Sequence, residues 1–240
     1  MNNNRKNNSI FKSPEGGFRG LSHIPNFITS LNLFSGAMAV YFAFQANYEL
    51  VLILLLLAAV FDFLDGFAAR LLKAYSPMGK ELDSLADVIS FGMAPGAVAF
   101  SLLRASELPE WVAFAGFIIP VFSALRLAKF NIDERQTTSF IGMPTPANAI
   151  FWIGLGFSYH ETLAQQPYFV LGFIALMSLL LVSELPMFSL KFKNLKWKDN
   201  SWQFVFLAVC CCLLIFLKLD AFAPIIGCYI TISITKRFVG

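Results

Sequence analysis

Four aspartates lie close together in residues 62–87 of a chain that is otherwise strongly apolar. The stretch reads DFLDGFAARLLKAYSPMGKELDSLAD. Asp62 and Asp65 are three residues apart, and Asp83 and Asp87 are four apart. Because residues three or four apart share a helix face, each pair forms one stripe on a helix. If YSPMGK supplies a tight turn, the two stripes can face each other and bring four carboxylates into one pocket.

Such a pocket is suited to divalent cations. Four neighbouring carboxylates cannot all ionise without a cation between them. Oxygen ligands with no His or Cys nearby favour Mg²⁺, Mn²⁺ or Ca²⁺ over zinc, and two such ions would leave open positions for phosphate oxygens. Gly66, Ala69 and Gly79 would let a bulky ligand approach the backbone, and Arg70 can hold a phosphate. The alternative is a structural use of the aspartates in salt bridges or a water-filled vestibule.

The elements that carry these side chains are predicted to be membrane helices. The chain has 240 residues, of which 57% are hydrophobic and 14% charged, whereas soluble domains are about a quarter charged. Eight apolar segments are long enough to be considered as spans. They cover residues 24–45, 49–72, 82–104, 110–130, 144–160, 166–188, 201–218 and 220–236. We therefore predict an all-α polytopic membrane protein with about eight transmembrane helices.

The basic residues predict the orientation of these helices. Of the 18 Lys and Arg residues, all but Arg104 and Lys218 fall on alternate connections of an eight-helix arrangement. Because cytoplasmic loops are enriched in Lys and Arg, this side is predicted to be cytoplasmic, with both termini and the 62–87 stretch on it. The polar segment 1–21 has no apolar core typical of a signal peptide and can include an interfacial helix.

Other features of the sequence indicate no second site. The net charge of +3 is small, and no basic stripe interleaved with aromatics points to nucleic acid. Four cysteines (Cys210, Cys211, Cys212 and Cys228) lie in apolar segments without CxxC or Cys/His spacing. They are interpreted as small lipid-facing or core residues.

The spacing D-x2-D-G-x2-A-R-x8-G-x3-D-x3-D resembles that of the CDP-alcohol phosphatidyltransferases. These integral membrane enzymes displace CMP from CDP-diacylglycerol with an alcohol. Three further stretches resemble the bacterial membrane-bound phosphatidylserine synthases: IPNFITSLNLFSGAMAV, LDSLADVISFGMAPG and FIGMPTPANA. The resemblance covers residues 22–188, a six-helix catalytic domain, and leaves 189–240 as two additional helices. It implies L-serine as the acceptor, membrane lipids as surroundings, a bacterial cytoplasmic membrane as location and a homodimer.

The resemblance also implies roles for individual residues. Asp62, Asp65 and Asp83 would hold one metal ion, Mg²⁺ or Mn²⁺ (Ca²⁺ in a crystal). Asp83 would bridge to a second ion, to which Asp62 and Asp87 also contribute. Asp87 would be the general base for the acceptor hydroxyl. The CDP moiety would contact Asp62 and the residues Asn26, Thr29, Gly66, Ala69, Arg70 and Gly79.

Fewer sequence features indicate which residues contact the acceptor or the lipid phosphate. Arg126, Lys129 and Asn131 lie where the fourth segment ends on the predicted cytoplasmic side, and their alternative role is ordinary interfacial snorkelling. Asn32 and Asn148 are polar residues in apolar segments. Each is either an acceptor contact or a helix-packing hydrogen bond. Direct transfer of the phosphatidyl group to serine is favoured, because no nucleophile outside the carboxylate cluster stands out.

Three competing functions remain open. A sister enzyme would use glycerol 3-phosphate, inositol or inositol phosphate, acceptors that favour additional basic residues around the pocket. A divalent-cation transporter would use the aspartates as a transit site and would need acidic residues along both halves of its path. A non-catalytic membrane scaffold would tolerate Asp87→Asn.

Overall fold

The structure, a computed structural model, describes residues 23–133, 140–188 and 197–239. The predicted interfacial segment (1–21), Arg135 and most of the basic stretch before the last two helices lie outside the described residues. In chain order the helices are α1 His23–Phe44, α2 Tyr48–Leu71, α3 Pro77–Asp87, α4 Ala94–Arg104, α5 Ile118–Ile132, α6 Thr145–Gln165, α7 Pro167–Val182, α8 Trp197–Leu217 and α9 Phe222–Val239. A π-helical segment, Val88–Met93, joins α3 to α4, and 3₁₀ segments Glu110–Phe117 and Lys218–Ala221 precede α5 and α9.

The prediction of an all-α membrane protein is confirmed. Within the described residues the strands are β1, Phe140–Ile141, and β2, Pro186–Met187. In the part of the chain that the structure describes, five continuous helical stretches are long and apolar enough to cross a bilayer. One of them, Asp199–Arg237, contains both α8 and α9, and α7 is apolar but shorter. The count of eight crossings stays a prediction.

The helices pack through small residues, as expected where lipid gives no hydrophobic drive for helix association. Ala39, Ala43, Ala97 and Ala99 are fully buried between helices. Large apolar side chains such as Phe34 instead point away from the bundle. The chain therefore uses close backbone approach inside the bundle and bulky side chains outside it.

The connection between α2 and α3 differs from the predicted one. Pro77 and Gly79 do not form the turn, because they lie in the first turn of α3, which begins five residues before the predicted helix start. Proline is well suited to this position, and Ser76 caps the helix by accepting a hydrogen bond from the Gly79 backbone N–H at 3.0 Å. The chain instead reverses around Lys73, whose φ is +50°.

The π-helical segment begins directly after Asp87 and packs against α1, α5 and α6. Inside it, the Ser90 hydroxyl donates to Asn32 Oδ1 of α1 at 2.7 Å. A Cβ on Gly36 would lie only 2.2 Å from Ser90 Oγ. Glycine at position 36 therefore allows α1 to touch the segment that follows the second aspartate pair.

The α5–α6 connection and the α7–α8 connection pair with each other at the end of the bundle that carries the aspartates. β1 pairs antiparallel with β2, and the Met143 N–H donates to the Leu180 carbonyl at 2.9 Å. Gly142 has φ of +75°, and a Cβ there would meet the Leu181 carbonyl at 2.6 Å. The residues before α6 are thereby held against the end of α7.

The last two helices form a hairpin that packs on the rest of the bundle. Lys218, with φ of +52°, lies in the 3₁₀ segment between them. α9 packs along α6, where the Gly154 Cβ position would be 2.6 Å from the Ala223 backbone nitrogen. Tyr229 of α9 is buried and donates from its hydroxyl to the Phe188 carbonyl at 3.0 Å.

Candidate active site

Three of the four predicted aspartates converge. Asp62 comes from the second half of α2, and Asp83 and Asp87 come from successive turns of α3. One carboxylate oxygen from each of these residues lies within 4.8 Å of those from the other two. The cluster arises because the spacing within α3 is one helical turn and because α2 and α3 both pack against α1, which brings their carboxylates together.

Asp65 occupies a different position from the other three. Its side chain is 5% exposed and faces α1, where its carboxylate interacts with Thr29. It also lines a cavity beside the cluster, as Asp83 does. The structure therefore places Asp65 next to the three-carboxylate cluster, with Asp83 bordering both regions.

The cavity has a volume of about 610 Å³, within the range of small-molecule sites. It lies between α1, α2 and the start of α3. Its lining residues are Pro25, Asn26, Thr29, Asp65, Gly66, Ala69, Ala74, Tyr75, Ser76, Pro77, Gly79, Lys80 and Asp83. Five of the residues predicted to contact CDP are among them: Asn26, Thr29, Gly66, Ala69 and Gly79.

Small residues shape this cavity through close approach. A Cβ on Gly79 would lie 2.9 Å from Asn26 Oδ1, so glycine there allows the amide of α1 to sit against the start of α3. The Thr29 hydroxyl donates to the Pro25 carbonyl at 3.0 Å, which holds its rotamer. α1 therefore contributes a polar edge at the point where α2 contributes Gly66 and Ala69.

Arg70 lies apart from this lining. Its side chain is exposed, and its Nε donates to the Gly66 carbonyl at 2.9 Å within α2. The structure thus gathers five of the seven predicted CDP contacts around the cavity, whereas Asp62 lies in the carboxylate cluster and the Arg70 guanidinium is folded along its own helix.

The four residues predicted to contact the acceptor or the lipid phosphate each occupy a different environment. Asn32 is fully buried; its Oδ1 accepts a hydrogen bond from Ser90, while its Nδ2 has no hydrogen-bond partner among the described residues. Lys129 forms an ion pair with Glu184 of the connection after α7. Asn131 donates from Nδ2 to Ser84 Oγ at 2.8 Å, which ties the end of α5 to α3.

Among the residues predicted to bind the acceptor substrate, Arg126 has the strongest link to the carboxylate cluster. Its side chain is buried, its guanidinium lies 5.0 Å from the centre of the Phe130 ring, and it interacts electrostatically with Asp87 and Tyr229. Tyr229 was missed from the sequence. Its helix is outside the resemblance and a tyrosine in an apolar segment gives no functional signal. Lys80, Tyr75 and Ser76 in the cavity wall were also missed, although their place beside Gly79 could have indicated them.

The donor set fits a divalent cation. The cluster consists of carboxylate oxygens, which hard cations prefer. Asp87 Oδ1 and Asp65 Oδ2 are buried, and no described residue donates a hydrogen bond to them. Because buried carboxylate oxygens are costly without partners, these atoms are suited to a cation or to groups of a bound ligand.

Apolar helices around a carboxylate cluster and an adjacent ligand-sized cavity define a membrane-embedded enzyme site for metal-assisted chemistry. The family model described as CDP-alcohol phosphatidyltransferase matches residues 22–190. The chain belongs to this family, as the motif spacing predicted.

Three curated relatives share one description. The chain is 31% identical over 217 residues to the CDP-diacylglycerol–serine O-phosphatidyltransferase of Helicobacter pylori strain J99, covering 88% of this chain and 90% of that protein. It is 36% identical over 143 residues to the Bacillus subtilis protein of the same description, covering 60% and 80%. A Mycobacterium leprae protein so described is 34% identical over 177 residues, covering 70% and 58%.

Proposed function

We propose that this protein transfers the phosphatidyl group from CDP-diacylglycerol to the hydroxyl of L-serine, giving phosphatidylserine and CMP. The observation that carries the proposal is the cluster of Asp62, Asp83 and Asp87 beside a ligand-sized cavity, built by the family motif. The serine assignment is supported by the relatives' common description.

The roles of the chain's own residues follow from their positions. Asn26, Thr29 and Gly79 line the cavity that would receive the CDP moiety. Asp62, Asp65, Asp83 and Asp87 would hold two Mg²⁺ or Mn²⁺ ions, as their oxygen donors favour. A bound divalent cation would neutralise diphosphate charge and stabilise the departing CMP.

Asp87 is proposed as the general base. The serine hydroxyl oxygen forms a bond to the phosphorus that carries diacylglycerol, and the bond from that phosphorus to CMP breaks. Asp87 accepts the hydroxyl proton as the new bond forms, since its carboxylate lies in the cluster and has a buried oxygen available. A single transfer is favoured because it needs no enzyme nucleophile.

The acceptor is tested with purified wild-type protein, CDP-diacylglycerol and each candidate alcohol in turn. We expect phosphatidylserine and CMP to form in equal amounts with L-serine, and no lipid product with glycerol 3-phosphate or inositol. EDTA should abolish turnover and Mg²⁺ or Mn²⁺ should restore it. Turnover with another acceptor but none with serine would overturn the serine assignment.

The role of Asp87 is tested by Asp87→Asn, which keeps the side-chain size and removes the base. We expect at least a 100-fold fall in kcat, the scale of general base catalysis, with an unchanged thermal unfolding midpoint. Glu81→Gln is the matched control, because Glu81 is an exposed acid on the same helix outside the cluster. An Asp87→Asn variant with wild-type kcat would overturn the role of Asp87 as the general base.

Orientation and assembly are part of the proposal. Both termini and the active site are proposed to face the cytoplasm, with the protein acting as a homodimer in a bacterial cytoplasmic membrane. The positive-inside pattern supports the first point. Thiol labelling of an Arg237→Cys variant in sealed vesicles would test the orientation of the C-terminus. Light scattering of the detergent-solubilised protein would test the homodimer.

A further inference from the structure

Asn148, near the start of α6, is a buried polar side chain without a structural partner among the described residues. The residue is fully buried, and neither its Nδ2 nor its Oδ1 makes a hydrogen bond within the part of the chain that the structure describes. Thr145, one turn earlier, is equally buried, and its hydroxyl is unpartnered in the same sense. Native proteins rarely leave a buried amide unsatisfied, so these groups point to a ligand.

The register of α6 against α4 places Asn148 at the level of the active site. A Cβ on Gly156 would lie 2.8 Å from Val98 Cγ1, so these two positions are level where the helices touch. α6 and the Pro77–Arg104 helix run in the same direction, because His160, four residues beyond Gly156, contacts the ring of Tyr48, whose hydroxyl is hydrogen-bonded to Ser101, three residues beyond Val98. Eight residues back along both helices, Asn148 is therefore about level with Ser90, three residues past Asp87.

The packing of α6 against α9 gives the same depth for Asn148. Gly154 touches Ala223 of α9, which runs antiparallel to α6. Six residues back along α6 and six residues forward along α9, Asn148 is about level with Tyr229. Tyr229 interacts electrostatically with Arg126, and Arg126 does so with Asp87. Asn148 therefore lies at the depth where Arg126 and the cluster meet.

The polar groups at this level favour an anionic part of a ligand. Arg126 carries a positive charge, and the N-terminus of α6, a helix of 21 residues, adds a partial positive charge. The Asn148 amide and the Thr145 hydroxyl can both donate hydrogen bonds. This side of Asp87 is separate from the cavity between α1, α2 and α3, because neither α5 nor α6 contributes to the lining of that cavity.

We propose that Asn148, together with Thr145 and Arg126, forms the subsite for the carboxylate of the amino-acid acceptor. The proposal rests on the proposed function and adds to it a determinant of acceptor specificity. L-serine would bind with its hydroxyl towards Asp87 and its carboxylate towards the start of α6. CDP-diacylglycerol would occupy the cavity on the opposite side of the aspartates.

The test separates the two substrates kinetically. With purified protein and Mn²⁺, KM is measured for L-serine at saturating CDP-diacylglycerol and for CDP-diacylglycerol at saturating serine. Asn148→Ala should raise the serine KM about 10- to 100-fold, the range for a lost buried hydrogen bond to a charged group. The KM for CDP-diacylglycerol should stay within a factor of two.

Asn148→Asp adds an electrostatic test at nearly unchanged shape. A carboxylate in place of the amide should repel the serine carboxylate, so the serine KM should rise further than in Asn148→Ala. If Asn148→Ala does not fold, Asn148→Asp alone tests whether Asn148 binds the serine carboxylate. Ser158→Ala is the matched control, since Ser158 Oγ is likewise buried and unpartnered within the described residues but lies ten residues further along α6. Its serine KM should be unchanged.

Two outcomes would overturn the subsite. One is an unchanged serine KM in both Asn148 variants. The other is an equal rise in both substrates' KM, which would indicate a packing role for the amide. Failure of the proposed function is distinguishable, because it would appear in the wild-type protein as absence of serine-dependent CMP release.

Discussion

Gly36→Ala tests whether contact between α1 and the π-helical segment positions the active site. The added methyl would lie 2.2 Å from Ser90 Oγ, 2.6 Å from Ser90 Cα and 2.8 Å from Ser90 Cβ. Ordinary carbon contacts are about 3.5–4.0 Å. Because one of the contacted atoms is backbone, a change of rotamer at Ser90 cannot relieve the clash, and α1 must move away by about 1 Å.

That displacement has two energetic consequences. Overpacking of a close helix contact costs about 1–3 kcal/mol. The movement also stretches the buried 2.7 Å hydrogen bond from Ser90 to Asn32, for which a further loss of about 1 kcal/mol is typical. We therefore expect Gly36→Ala to destabilise the protein by about 3 kcal/mol, or about 6–12 °C in Tm for a chain of this size.

The same displacement should lower activity. α1 carries Asn26 and Thr29 at the cavity, while the helix it would leave carries Asp83 and Asp87. A misplacement of about 1 Å between reacting groups can lower the rate about 100-fold. We expect CMP release to fall about 10- to 100-fold at a temperature where the variant is still folded.

Thermal unfolding of the detergent-solubilised protein and CMP release are the two measurements. Gly172→Ala is the matched control, because a Cβ at Gly172 would meet nothing within 4 Å and alanine is the better helix former. Ser90→Ala removes the hydrogen bond to Asn32 without adding an atom, so its loss of stability should be the smaller one. A Gly36→Ala variant with wild-type Tm and activity would refute the reasoning.

Three further substitutions are predicted from local geometry. Gly79→Ala should raise the KM for CDP-diacylglycerol about tenfold, or about 1.4 kcal/mol, because its methyl would lie 2.9 Å from Asn26 Oδ1. An unchanged KM would contradict this and would mean that α1 can move away without loss of substrate binding. Gly142→Ala should lower the free energy of unfolding by about 2 kcal/mol or more, since a φ of +75° costs alanine about 1–2 kcal/mol before any contact is counted. Thermal unfolding measures this, and wild-type stability would contradict it. Lys129→Ala should cost less than about 1 kcal/mol despite losing its ion pair with Glu184, because exposed ion pairs contribute little; a larger fall in Tm would contradict this.

Much of the aspartate cluster could be predicted from sequence because its geometry is local. The spacing within one helix sets which side chains share a face, so the pairing of Asp83 with Asp87 needs no tertiary information. The predicted position of the turn before them is wrong, because it relied on residue type alone. Pro77 and Gly79 were treated as helix breakers, whereas proline is favoured in a first helical turn and Gly79 is needed for close approach to Asn26.

The sequence by itself determined the membrane class, the family and the candidate carboxylate cluster, because hydropathy and helical spacing are properties of short segments. The tertiary structure decided which carboxylates converge, placing Asp65 towards Thr29 and leaving Arg70 outside the cavity lining. It also brought Asn148 of α6 and Tyr229 of α9 to the depth of Asp87. These relations depend on the register between distant helices, set by contacts such as Gly154 with Ala223, and no spacing along the chain encodes that register.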